Sequence, residues 1–228
     1  MMKLKLTDNQ NLWFCSDPHY NHKNLCRGVS EWSPEHYTRD FPTVKSMNYA
    51  LVSNINECAK ENDVLVCLGD WSFGGFDSIK EFRDQIKCKN IYLVLGNHDH
   101  HIERNKNNCR ELFTWVGHYL ELNVTKIYND QMRWLIKGEQ DAQLLPYKLE
   151  RNFAIMHYPI ASWNNLSKGW IHVHGHLHLI NPEHEGKSMD VGLDGNYMRP
   201  YSLKEVVKKM DLKPIKNLTL TTDHHETV

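Results

Sequence analysis

Three short apolar runs, Leu12-Trp-Phe-Cys15, Val64-Leu-Val-Cys-Leu68 and Ile91-Tyr-Leu-Val-Leu95, constrain this chain more than any other feature. Each is too short for a buried helix and lacks the polar alternation of a strand with one wet face. Each therefore reads as a strand covered on both sides. Between the first two, Val44, Met47, Leu51, Ile55 and Cys58 recur at three- or four-residue intervals, which predicts a helix from Thr43 to Cys58. Between the last two, Ile79, Phe82 and Ile86 mark a second helix, with Asp77 placed to cap it. A β-α-β-α-β order of this kind specifies an α/β fold with parallel pairing in the first half.

The second half has another rhythm. Tyr119–Val124, Arg133–Ile136, Phe153–Met156, Ile171–Val173 and Ser188–Val191 are strand-like, with turn signals such as Asn129-Asp130 between them. Few helices intervene, so a second, mainly antiparallel sheet is expected. Ser202-Leu-Lys-Glu205 is a capping box for a last helix, flanked by Tyr201 and Val206 as a hydrophobic staple. No linker or repeat interrupts the chain, which predicts one domain over residues 1–212 and a polar tail over 213–228.

Composition narrows the setting. Charged residues make up 24% of the chain and the formal net charge is -1, so no basic excess argues for nucleic acid. No run approaches the roughly 18 apolar residues of a membrane span, and the N-terminus lacks the apolar stretch of a signal peptide. The 6 cysteines show neither CxxC pairing nor framework spacing. A soluble protein of a reducing cytoplasm, with no membrane partner, is expected.

Polar residues gather where the apolar runs stop. Asp17-Pro-His19 follows the first run, Gly69-Asp70 the second and Gly96-Asn-His-Asp99 the third; His157 and Gly175-His-Leu-His178 follow two later ones. Ligands of open α/β sheets bind at these carboxyl ends. Taken alone, an Asp or Asn after a strand is a turn residue and a lone histidine is a packed or exposed ring. Jointly, Asp17, His19, Asp70, Asn97, His157, His176 and His178 are the mixture of carboxylate, amide and imidazole donors that two adjacent metal ions require. No cysteine joins them, which separates the set from a structural zinc site. Two divalent ions bring four positive charges and the two aspartates return two, so the centre would attract a phosphate group.

The set resembles the signature of the calcineurin-like metallophosphoesterase superfamily: DxH, GD, GNH(D/E), H and GHxH, in that order. The opening Asp17-Pro-His-Tyr-Asn-His22-Lys-Asn24 and the later Val191-Gly-Leu-Asp194 and Arg199-Pro200 resemble a small bacterial and phage branch of it. The resemblance implies two facing mixed β-sheets flanked by helices, an α/β/β/α sandwich. It implies that Asp17, His19 and His178 hold one metal, that Asn97, His157 and His176 hold the other, and that Asp70 bridges them. It makes His98 the spare histidine beside the ions, a proton or hydrogen-bond donor, with Asp99 orienting or charge-stabilising its imidazole. The nucleophile would be a hydroxide made from a water bound to the metals.

Around these residues the expectations are finer. An oxygen and nitrogen shell accepts Mn, Fe, Co, Ni or Zn, with Mn favoured. His22 and Arg27 are candidate substrate contacts, Arg27 through its planar fork on a phosphate oxygen. Trp71 and Trp163 are candidates to stack a base, and His174 to support a ligand. The expected activity is a phosphodiesterase on a nucleotide or another small phosphodiester. A phosphomonoesterase, protein phosphatase or nuclease is the alternative, and a non-catalytic scaffold ranks last because no ligand is missing.

Overall fold

The computed structural model describes residues 1–128, 147–178 and 185–216. In chain order the first half contains β1 (Met2–Leu6), β2 (Leu12–Cys15), α1 (Val44–Cys58), β3 (Val64–Cys67), α2 (Gly75–Gln85), β4 (Asn90–Val94), a single turn α3 (His100–Glu103) and β5 (Trp115–Gly117). The second half contains β6 (Tyr119–Tyr128), β7 (Tyr147–Met156), β8 (Ile171–His174), β9 (Ser188–Asp190), β10 (Tyr201–Ser202) and α4 (Leu203–Asp211). They form two five-stranded sheets, ordered β10-β2-β3-β4-β5 and β1-β6-β7-β8-β9.

The first sheet follows from the three apolar runs. β2, β3, β4 and β5 pair in parallel, with Phe14 opposite Val66 and Val66 opposite Tyr92. Alternate side chains go to opposite faces. Leu12, Phe14, Val64, Val66 and Val94 enter the core between the sheets, where Phe14 meets Phe153 of β7 at 5.2 Å. Cys15, Leu65, Cys67, Ile91 and Leu93 face the helix layer, against Met47, Leu51 and Ile55 of α1 and Ile79 and Phe82 of α2. Both faces are dry, so these strands carry no polar alternation. Asp77 lies in the first turn of α2 but does not cap it, because the N-cap is Gly74 at φ +106. Only a glycine holds that left-handed turn without strain.

The second sheet is mixed, not mainly antiparallel. β6 and β7 form an antiparallel ten-residue pair, but β1 joins β6, β8 joins β7 and β9 joins β8 in parallel. The scarcity of helices between these strands suggests antiparallel neighbours, yet β8 and β9 run in the direction of β7. The outer face of this sheet is covered by residues 158–170, whose Trp163 and Leu166 pack on Ala154. The capping box at Ser202 and Glu205 forms, and Tyr201 and Val206 both enter the core between the sheets. The expected strand at Arg133–Ile136, the turn at Asn129-Asp130 and the tail beyond residue 216 lie outside the described residues. Among the described residues, no helix is long and apolar enough to cross a membrane.

Candidate metal centre

The ends of β2, β3 and β4 in one sheet and of β7 and β8 in the other meet at one edge of the sandwich. Backbone bonds stitch them together: Asp17 N–H donates to Gly69 O at 3.1 Å, and Gly175 N–H to His157 O at 2.9 Å. Gly175 is required by the closeness of this seam, since a Cβ there would stand 1.8 Å from Ser16 Oγ and 2.4 Å from Asp17 Oδ2. Asp17, His19, Asp70, His176 and His178 all have φ between 51 and 73. Such left-handed backbone in non-glycine residues gathers where a site over-determines it.

Each aspartate is held by one oxygen and turns the other toward the histidines. Asp17 Oδ2 accepts the His176 N–H at 2.9 Å, while Oδ1 is buried without a hydrogen-bond partner. That bare oxygen is 3.8 Å from His19 Nε2 and 3.7 Å from His178 Nε2, and the two imidazole nitrogens are 2.9 Å apart. Asp70 Oδ1 accepts the His98 N–H at 2.9 Å. Its Oδ2 lies 3.6 Å from His19 Nε2 on one side and 3.7 Å from His157 Nε2 on the other. On that second side His157 Nε2 is 3.0 Å from Asn97 Oδ1 and 3.2 Å from His176 Nδ1.

These spacings fit metal ions. Bonds of 2.0–2.2 Å separated by 90–120° give ligand-to-ligand edges of about 2.8–3.8 Å. Tautomers agree with the geometry. His157 Nδ1–H donates to Leu68 O at 2.6 Å, so the lone pair on Nε2 confronts the carbonyl oxygen of Asn97 with no proton between them. A cation held by both atoms would relieve that repulsion. His178 Nδ1–H donates to Asp194 Oδ2 at 2.8 Å, again turning its Nε2 lone pair inward. Burial, reinforced by His178, holds His19 well below its ordinary pKa, which keeps a lone pair free. Burial also opposes a proton on His178, but Asp194 and Asp17 outweigh it and raise its pKa. The negative field that favours a proton there favours a metal ion equally.

Asp194, marked in the sequence only as the end of the Val191–Asp194 run, is itself tied to Arg39 in a buried pair. Arg39 Nε–H donates to Asp194 Oδ1 at 2.7 Å and Nη2–H to Oδ2 at 3.2 Å. Two further guanidinium N–H groups reach Pro18 O and Asp17 O, both at 2.7 Å. One side chain thus fixes the Asp17-Pro-His19 loop and the carboxylate behind His178. Burial alone would raise the Asp194 pKa; Arg39 and His178 hold it well below the carboxylate range. The separation of 155 residues between Arg39 and Asp194 explains why no local pattern reveals them.

His98 is exposed beside the cluster, its ring 5.7 Å from that of His19 and 4.9 Å from that of Phe73. Partial burial lowers its pKa against the opposing pull of Asp99. Asp99 does not orient the imidazole through a hydrogen bond. Its carboxylate accepts the N–H groups of Asp70 at 2.8 Å, Gly96 at 2.8 Å and Trp71 at 2.9 Å, and burial raises its pKa to about 6. Its direct task is to lock the β3 and β4 loops together.

The other candidates divide. His22 lies within reach, 5.5 Å ring to ring from His19, and burial lowers its pKa to about 4. Arg27 turns away to Asp40 at 3.1 Å and to Thr38. Trp71 is fully buried, packed on Phe82 and Phe113 with its Nε1–H bonded to Ile79 O, so it offers no face to a substrate. Trp163 is also buried and donates to Trp170 O. His174 is buried, its Nδ1 3.2 Å from Gly175 O.

Residues 11–213 match the family described as calcineurin-like phosphoesterase. The chain belongs to the calcineurin-like phosphoesterase family. It is similar to the uncharacterized protein MJ1445 of Methanocaldococcus jannaschii, with 25% identity over 210 residues that span 88% of this chain and 91% of the relative. Its fold is similar to the crystal structure of a protein of unknown function, AQ665 from Aquifex aeolicus, at a TM-score of 0.55 and 20% identity, covering 88% of this chain and 100% of the other. As a member of the family it is a metal-dependent hydrolase of phosphoric esters, and its Asp and His groups can bind metal.

Proposed function

We propose that this chain is a dinuclear phosphodiesterase that cleaves a nucleotide or another small phosphodiester. The observation that carries the reading is the pair of half-sites, Asp17–His19–His178 and Asn97–His157–His176, with Asp70 Oδ2 3.6 Å from His19 Nε2 on one side and 3.7 Å from His157 Nε2 on the other. Two divalent ions held there, Mn in the first instance, would acidify a water and neutralise charge on the phosphoryl oxygens. Asp17 and Asp70 would hold the ions with one oxygen each, while their other oxygens remain fixed to backbone N–H groups. His98 would donate a proton to the departing alcohol from its exposed position beside His19.

Charge favours the diester. Arg39 is committed to Asp194 and two carbonyls, and Arg27 to Asp40 and Thr38. Neither is left to hold the second charge of a monoester, whereas a diester carries only one. The protein is read as cytoplasmic, with its six described cysteines reduced and buried.

The test is a hydrolysis panel on Mn-reconstituted protein, comparing alkyl phosphodiesters, cyclic nucleotides, single-stranded DNA and monoesters. Diester turnover well above monoester turnover supports the reading. The reverse order would reassign the protein as a phosphomonoesterase.

A further inference from the structure

Trp71 and Trp163 are buried, but another tryptophan is placed where they are not. Trp32 is 40% exposed and its ring stands edge-on to His22 at 5.4 Å. His22 in turn contacts His19 at 5.5 Å, so the Trp32 ring lies within about 11 Å of a candidate metal ligand. Phe73 completes the row, with ring centroids 3.9 Å from His22, 5.5 Å from His19 and 4.9 Å from His98. The wall therefore rises on the side of the centre occupied by His98.

Local bonds hold it in place. Ser30 Oγ–H donates to Asn24 O at 2.7 Å, Glu31 N–H to Asn24 Oδ1 at 3.1 Å, and Trp32 N–H to Ser30 Oγ at 3.2 Å. His22 Nδ1 accepts the Leu25 N–H at 3.2 Å, which places the ring proton on Nε2 and makes that nitrogen a donor. An exposed, positioned indole contributes little to packing, yet it suits a planar ring. Beside a cationic phosphate site, the planar group that arrives attached to a phosphate ester is a nucleobase.

We propose that Trp32, with Phe73 and His22 behind it, is the base-stacking wall of a nucleoside subsite, so that the substrate is a nucleobase-bearing phosphate ester. The inference rests on the phosphoesterase reading above and specifies the group that the ester carries.

The test is equilibrium binding to the Mn-loaded protein, which needs no turnover. The probes are non-hydrolysable, singly charged 5′-methylene(methylphosphinate) analogues of the methyl esters of AMP and of ribose 5-phosphate, which mimic a diester. The AMP analogue is expected to bind about 5- to 150-fold more tightly, the range that one stacked base supplies. Trp32→Ala should bring the ratio close to one, and Trp32→Phe should restore most of it. Equal affinities in the native protein, or a ratio unchanged by Trp32→Ala, would overturn the wall while leaving the phosphate site standing. Binding of neither probe would overturn both. A single-stranded pentanucleotide separates the two sources of such an ester: tighter binding than the AMP analogue supports the wall as the seat of a strand end, and weaker binding supports it as the seat of a free nucleotide.

Discussion

Asp194→Asn separates two jobs that the structure gives to one carboxylate. In the native chain Asp194 neutralises Arg39, both side chains being 1% exposed, and it receives the Nδ1–H of His178. Asparagine keeps the shape and an acceptor for His178 but removes the charge. The guanidinium of Arg39 is then buried with only carbonyls for company, a defect that costs about 3–5 kcal/mol. For a chain of this size each kcal/mol moves the melting temperature by about 2–4 °C, so the chelator-treated variant should melt about 6–20 °C below the native protein. The second loss concerns metal. Removing a carboxylate behind a ligating histidine weakens binding about 10- to 100-fold. At saturating Mn that reduces the stabilisation by metal by about 1.4–2.7 kcal/mol. Thermal melts with chelator and with graded Mn read the two terms separately. Arg39→Met combined with Asp194→Asn should recover part of the first loss, because the uncompensated charge is gone, and none of the second. A metal-free melting temperature within 2 °C of native, or an unchanged Mn dependence, would refute the role assigned to this pair.

Two further substitutions address the centre itself. His98→Ala should lower turnover about 10²- to 10⁴-fold while elemental analysis still finds the native metal content, because His98 lies outside the ligand set. Gly96→Ala would place a Cβ 2.2 Å from Asp70 Oδ1 and 2.6 Å from the Asp70 amide nitrogen. It should destabilise the fold by about 1–3 kcal/mol in chemical denaturation and lower the metal content by displacing the shared carboxylate.

Much of this was legible in the sequence where the signal was local. The apolar runs that became β2, β3 and β4 are buried on both faces, and that makes them continuous and easy to read. The ligand-type residues stood at their ends, and the folded chain brings Asp17, His19, Asp70, Asn97, His157, His176 and His178 into one cluster. What stayed hidden depends on contacts distant in sequence. The alternation of β1 is the pattern of a strand with one wet face, but its parallel pairing with β6, about 120 residues away, is not written in it. Parallel addition of β8 and β9 leaves no trace in their composition, so the sheet looked antiparallel. Asp194 stands in the sequence as part of the Val191–Asp194 run, but its partner Arg39, 155 residues away, is visible only in the fold. Trp71 follows Asp70 directly, but the left-handed backbone at Asp70 turns the chain there, and the indole packs into the helix layer.

Two metal ions joined through Asp70 would perform the hydrolysis. Titrating metal-free protein with Mn while following turnover of an alkyl phosphodiester reads this out. Turnover should stay near background through the early additions and reach its plateau at two equivalents per chain, and Asp70→Asn should fail to reach that plateau. Full turnover at one equivalent, or without added metal after exhaustive chelation, would contradict the account.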